Sequence, residues 1–236
     1  MTTNTLLHYY NEMRTEDTLM EEVSRMQIGI DEVGRGPLFG RVYVAAVIIP
    51  KEDPEFQYHL LKDSKRFHST NKIKQVSDYI KEKSICWSIQ YESEETIDKI
   101  NILQATQQAM HKCVHEILSK MSIMNTKDVL LLVDGNYFNT LTLYNQFSKC
   151  FETISHVCIE GGDNKICSIA AASILAKVAR DEYIHELCAK YPELVEKYNI
   201  DKNKGYGSQK HLQGIKEHGI TCWHRKTFGI CKQYKI

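Results

Sequence analysis

The chain has 236 residues, of which 42% are hydrophobic and 25% charged. That balance belongs to a folded globular protein and excludes whole-chain disorder, collagen-like repeats and low complexity. Thirty basic against thirty acidic residues leave a formal net charge of zero, so bulk charge cannot hold the chain to a polyanion, although local basic surfaces can.

No apolar stretch approaches the roughly 18 residues that span a bilayer. The opening MTTNTLLHYYNEMRTEDTLMEE lacks the basic and apolar regions of a secretory signal, so a cytoplasmic location is expected. The eight cysteines include no C-x-x-C pair and lie mostly in apolar runs. They read as reduced, buried small hydrophobes rather than as disulfides or zinc ligands. With four prolines and no linker tract, one domain is expected over residues 26–236, preceded by an extension, a helix or arm, at 1–25.

From Met26 the pattern is clear. Gln27–Ile30 is a short apolar strand ending at Asp31, followed by the turn GRGPLFG. VYVAAVII at 42–49 is β-branched and almost wholly apolar, as in a strand buried on both faces. Ser69 or Thr70 caps a basic amphipathic helix to about Lys83. Ile85–Tyr91 is a third strand. Ser93 caps a short helix, and Ile102, Thr106, Ala109, Cys113 and Ile117 form the stripe of a longer one. VLLLV at 129–133 is a buried strand ending in Asp134-Gly135-Asn136, and Ile154–Ile159 is another. Lys165–Tyr191 is a long helix, and Ser208 opens the last amphipathic one. Strands alternating with helices predict an α/β or α+β fold with a central sheet and helices over its faces, and an α/β fold with a mixed sheet is the one expected.

Asp31-Glu32, Asp134 and Asp163 share one context: each stands where a buried strand runs out. Strand ends are where open α/β sheets place ligands. Alone, each acid has an ordinary explanation as a turn or cap residue. Together, converging carboxylates repel and raise some pKa values, a cost that a divalent cation removes. An all-oxygen set suits Mg²⁺ or Mn²⁺, and two such ions can activate water and stabilise a leaving oxygen in an in-line phosphodiester displacement. The rival dinucleotide reading of Gly34-x-Gly36-x-x-x-Gly40 fails on context, since two acids precede the loop, Pro37 interrupts it and a strand follows.

Seven ordered motifs carry a resemblance: IGIDEVGRGPLFG, LKDSK, INILQAT, LLVDGN, GGDNKICSIAAASILAKVARD, NKGYGS–KH and HRKTFG. They resemble type 2 ribonuclease H, specifically ribonuclease HII, over Ile28 to Gly229, about 85% of the chain. The resemblance implies a ribonuclease H-like fold with a helical C-terminal portion. It implies cleavage of the RNA strand of RNA–DNA hybrids and incision of duplex DNA at embedded ribonucleotides, with two Mg²⁺ or Mn²⁺ ions. It makes Asp31, Glu32, Asp134 and Asp163 the metal-binding carboxylates, Gly34, Arg35 and Gly36 the loop reading the ribose 2′-OH, and Tyr206 its partner at the RNA–DNA junction. Lys65 and Lys165 become phosphate contacts. Asp181, which the family pattern includes, lies four residues beyond Lys177, within helix reach, and reads as structural support. The basic segments 62–83, net +4, and 201–236, net +6, become phosphate tracks. A monomer is implied, with room for accessory chains.

Two positions depart from the family pattern: Gly161 replaces a common Lys, and Arg41 a common Pro. Ribonuclease HIII is the nearby alternative, but it usually carries a larger N-terminal domain, and the Gly-Arg-Gly loop favours HII. A binding module without catalysis would be expected to lack a carboxylate. Every matched motif begins after the arm, so the arm is expected to be dispensable for chemistry.

Overall fold

The computed structural model describes residues 6–10, 25–62, 64–67, 69–123, 125–145 and 148–234. Residues 1–5 and 11–24, most of the expected N-terminal helix or arm, lie outside the described residues.

The central strand β1 (Met26–Val33) pairs antiparallel with β2 (Val42–Ile48), which pairs antiparallel with β3 (Cys86–Glu92). On its other side β1 pairs in parallel with β4 (Val129–Asp134), which pairs in parallel with β7 (Ser155–Ile159). The sheet order is therefore β3-β2-β1-β4-β7, and the three parallel strands end on one edge. Every residue of β2 is buried, as its apolar run requires. Ile28, Ile30, Val44, Ala46 and Leu131 pack with the apolar stripe of α2 (Glu94–Lys120). Ala45 and Val47 face α1 (Thr70–Lys83) and α3 (Cys167–Lys190) on the other side.

Gly29 fixes how close α3 comes to the sheet. A Cβ there would overlap the Ser168 main chain, so only glycine lets this helix rest directly on β1. The Ala170-Ala171-Ala172 run continues the close packing. Ser69, Ser93 and Ser208 cap α1, α2 and α6 (Gln209–His218) by accepting from the amides of Lys72, Thr96 and His211. The two helices expected after Ser93 run on as α2, broken at Asn101 (φ 66°), whose side chain accepts from the Gln104 amide and so caps the second segment.

Several expectations need correcting. β1 does not stop at Ile30, because antiparallel pairing with Ala45, Val44 and Tyr43 carries it through the acid pair to Val33. A hairpin of β5 (Thr142–Asn145) and β6 (Cys150–Thr153) was not legible, since its four-residue strands are largely exposed and lack apolar alternation. The short helices α4 (Glu193–Tyr198) and α5 (Ile200–Asn203) were likewise missed. All eight cysteines are free, but Cys150 and Cys222 are exposed rather than buried. Neither sits on the inner face of an element that packs against the core.

The C-terminal helical portion packs Leu194, Tyr198, Ile200 and Ile215 on the end of α3 around Ile184 and Cys188. The architecture is thus α/β, a five-stranded mixed sheet between helices with a helical C-terminal portion. Among the described residues, no helix is long and apolar enough to cross a membrane.

Candidate active site

Parallel register makes Ile30 the partner of Val133, and one step further along the same strands stand Asp31 and Asp134. Glu32 follows on β1. Asp163 lies in the turn after β7, in the 3₁₀ segment Gly162–Asn164. Three neighbouring parallel strands, or the turn just after one, therefore carry acids at one edge of the sheet.

Asp31 is buried at 4% exposure. Its Oδ1 accepts from the Glu32 amide at 2.6 Å, and Ser173 on α3 also bonds the carboxylate. Burial pushes its pKa well above the usual carboxylate range, and the charges of Glu32 and Asp134 push further. Glu32 is raised too, chiefly by burial, with Arg35 opposing through an ion pair of 3.3 Å. Asp134 Oδ1 accepts from the Gly162 amide at 2.7 Å, which ties the β4 acid to the turn carrying Asp163. Asp163 is buried and stands 3.8 Å from the exposed ammonium of Lys65.

Among the described residues, no three His, Cys, Asp or Glu side chains are already gathered into a cage for an ion. Mg²⁺ does not need one, because it keeps several waters and takes one or two carboxylates with substrate phosphates. An oxygen-only set in which burial, and then two acidic neighbours, hold Asp31 above its normal pKa fits a hard divalent cation.

The Gly34–Gly36 loop leaves β1 directly beyond the acids, with Gly34 at φ 92° and buried while Arg35 and Gly36 are exposed. Tyr206 is half-exposed, and a Cβ on Gly36 would lie 3.7 Å from its ring. The Leu38 amide donates to the Gly205 carbonyl at 2.9 Å, so the two turns are bound to each other. Lys165 is not turned to the acids. Its ammonium donates to the Glu160 carbonyl of its own loop at 2.7 Å. Lys177 pairs with Asp181 at 2.7 Å, the supporting contact expected of it.

The family model for ribonuclease HII matches residues 28–231. The chain belongs to the ribonuclease HII family. Ribonuclease HII of Bacteroides thetaiotaomicron is 40% identical over 205 residues, covering 87% of this chain and 90% of that one. In fold the chain is similar to the PCNA:RNase HII complex from Archaeoglobus fulgidus, with a TM-score of 0.62, 23% identity and coverage of 87% and 96% of the two chains. It is also similar to Bst-RNase HIII in complex with Mn²⁺, with a TM-score of 0.57, 16% identity and coverage of 88% and 76%. Membership makes the chain a nuclease hydrolase, an endoribonuclease acting on RNA–DNA hybrids.

The departures from the family pattern have local explanations. Arg41 is sandwiched between Tyr91 and Tyr183, 4.1 and 4.5 Å from their ring centres. Gly161 adopts φ 62° as it turns the chain into the Asp163 segment. Sequence reasoning missed the supporting residues. Ser173 bonds Asp31 and lies 3.0 Å from Ser64, next to Lys65, so α3 and the Lys65 loop brace the same acids. Arg180, Arg225, His211 and His224 are fully buried around the Gly-Arg-Gly and Gly-Tyr-Gly turns. All stood inside the recognised motifs, but a motif does not say which members face inward.

Proposed function

We propose that this chain hydrolyses the RNA strand of RNA–DNA hybrids and incises DNA 5′ to embedded ribonucleotides by two-metal-ion catalysis, leaving 3′-OH and 5′-phosphate ends. The observation that carries the reading is the placing of Asp31 and Asp134 one step beyond the Ile30–Val133 pair with Glu32 beside them, where burial first and the neighbouring acids second hold Asp31 above its normal pKa. The Mn²⁺ in the Bst-RNase HIII structure supports the choice of metal. When bound, the ions activate the attacking water and stabilise the leaving oxygen.

The chain's own residues do the rest. Asp31, Glu32, Asp134 and Asp163 would hold the ions. Ser173 and the Gly162 amide fix the orientation of Asp31 and Asp134. Gly34, Arg35 and Gly36 with Tyr206 address the 2′-OH, the group that tells RNA from DNA at one site. Lys65 meets a phosphate beside Asp163. Lys165 is the weaker contact, because it must first release the Glu160 carbonyl. The basic segments 62–83 and 201–236 position the duplex without reading sequence. In this reading residues 26–236 are one catalytic domain, and the chain is a cytoplasmic monomer. The PCNA of the Archaeoglobus fulgidus complex is the kind of accessory partner it leaves room for.

The test is cleavage of a duplex containing one ribonucleotide, and of a continuous hybrid, with and without Mg²⁺ or Mn²⁺. Metal-dependent cutting to 3′-OH and 5′-phosphate ends is expected. Cyclic 2′,3′-phosphate products would overturn the mechanism.

A further inference from the structure

Among the described residues, Arg225 and Arg180 are the largest side chains buried completely, at 0% and 1% exposure. Their hydrogen-bond partners among the described residues are main-chain carbonyls. Arg225 Nε donates to Gly40 at 2.8 Å, Nη1 to Arg35 and Pro37 at 2.9 Å each, and Nη2 to Gly34. Arg180 Nε donates to Arg41 at 3.2 Å, and its Nη2 to Phe39 at 3.3 Å and Lys204 at 3.0 Å.

A buried cation bonded to carbonyls rather than to a carboxylate is an expensive way to fill a core. Burial, with Arg180's like charge second, pulls the Arg225 pKa down to about 9. What this arrangement fixes is the path of one loop.

A peptide unit is planar and trans, so a carbonyl pointing one way sends the next amide the other way. With the carbonyls of Gly34 and Arg35 turned inward on Arg225, the amides of Arg35 and Gly36 are turned outward. Those two residues are exposed while Gly34 and Pro37 are buried. Successive outward amides form a concavity that accepts an electronegative atom.

We propose that Arg225 is a positioning residue for ribose selection: it holds the Gly34 and Arg35 carbonyls inward and so presents the Arg35 and Gly36 amides to the 2′-OH beside Tyr206. Arg180 holds the far end of the same loop and ties it to Lys204, two residues before Tyr206. Lysine cannot replace Arg225, because one ammonium with three donors cannot span four carbonyls as a planar fork with five can. The inference rests on the reading of this loop as ribose-facing.

The experiment measures binding in an Asp134→Asn background with Mg²⁺, so that substrate stays intact. A duplex with one ribonucleotide competes against the all-DNA duplex of the same sequence, with and without Arg225→Lys. The ratio of the two affinities is expected to fall about tenfold, the worth of one lost hydrogen bond, while all-DNA binding holds within about twofold. General loosening of the fold would lower both affinities together, and an unchanged ratio in a folded variant would overturn the proposal. A ratio near one in the parent would overturn it together with the loop reading, while wild-type cleavage of the ribonucleotide duplex would still support the nuclease assignment. Arg225→Gln, which retains two donors, replaces the Lys variant if that one does not fold. If neither folds, ¹⁵N relaxation on the wild type decides: order parameters for Arg35 and Gly36 near the ~0.85 of rigid backbone are required, and values under ~0.6 would overturn the proposal.

Discussion

His211 and His224 meet in the interior through their Nε2 atoms, 3.1 Å apart, and their neighbours dictate where the protons sit. The Tyr206 carbonyl can only accept, so His211 Nδ1 donates to it at 2.9 Å. The Thr221 amide can only donate, so His224 Nδ1 accepts at 3.0 Å. His224 Nε2 therefore carries the proton and donates to His211 Nε2, leaving both rings neutral. A chain of bonds runs from Thr221 to the backbone of Tyr206.

This pair predicts acid sensitivity. Burial first, and His211 second, pull His224 from 6.5 down to about 3, and burial lowers His211 as well. Between those values the unfolded chain binds more protons, so the stabilisation is complete above pH ~6.5 and is lost as pH falls toward ~3. For His224 the loss is on the order of 4–5 kcal/mol. Asp31 and Glu32, raised in the fold, slope the opposite way. Thermal melts from pH 7.5 to 4 should show a shallower decline for His224→Gln than for wild type, even though the variant starts less stable. Parallel curves would contradict the assignment.

Asp31→Asn should abolish cleavage, with a rate loss of several orders of magnitude, yet raise the stability of the metal-free protein. The folded pKa of Asp31 is elevated, so its ionised form is a cost that grows as pH rises through that pKa. An amide removes the charge and can still accept from the Glu32 amide. A melting temperature higher by about 2–4 °C at pH 7 is expected for each kcal/mol relieved. Added Mg²⁺ should stabilise wild type more than the variant. Calorimetry with and without Mg²⁺ checks both statements. Asp134→Asn should also lose cleavage while remaining folded.

Tyr206→Phe keeps the ring beside Gly36 and loses the hydroxyl, whereas Tyr206→Ala loses both. Ala should be worse than Phe, and the deficit larger on a single-ribonucleotide duplex than on continuous hybrid. Metal affinity should scarcely move. Steady-state rates on the two substrates read this out, and wild-type behaviour of both variants would make Tyr206 a bystander.

Leu7, in the described part of the arm, touches the site's scaffold. Leu7 donates to the Lys165 carbonyl at 2.7 Å and accepts from the Cys167 amide at 2.9 Å, adding a bridge just beyond Asp163. Removing residues 1–10 should lower the melting temperature by a few degrees, at about 2–4 °C per kcal/mol, and leave saturated turnover within a few-fold. The Mg²⁺ needed for half-maximal rate should rise, because the Asp163 turn loses its brace. A metal titration of the truncated chain tests this.

What was legible in the sequence was local or repeated. Ser69, Ser93 and Ser208 announce helix starts because cap and apolar period sit within a few residues of each other. The acids at 31, 32, 134 and 163 stood out because each stands at the end of an apolar run or in the loop just beyond it. Arg225 was not legible: within a basic segment it read as one more phosphate contact. Its burial depends on carbonyls about 190 residues earlier in the chain. His211 and His224 hid in the same way, since nothing in the sequence pairs two rings across a turn.

The contact of Gly29 with the Ser168 backbone sets the spacing between the strand that bears Asp31 and the helix that begins just after Asp163. Because main chain meets main chain there, no side chain sets the spacing at that point, and the alanines of α3 keep it close beyond. Interior residues away from this contact and from the alanine run can change without moving it. The same economy leaves one point of failure. A single methyl group at Gly29 would act as a wedge, disarming the enzyme with every acid still in the sequence.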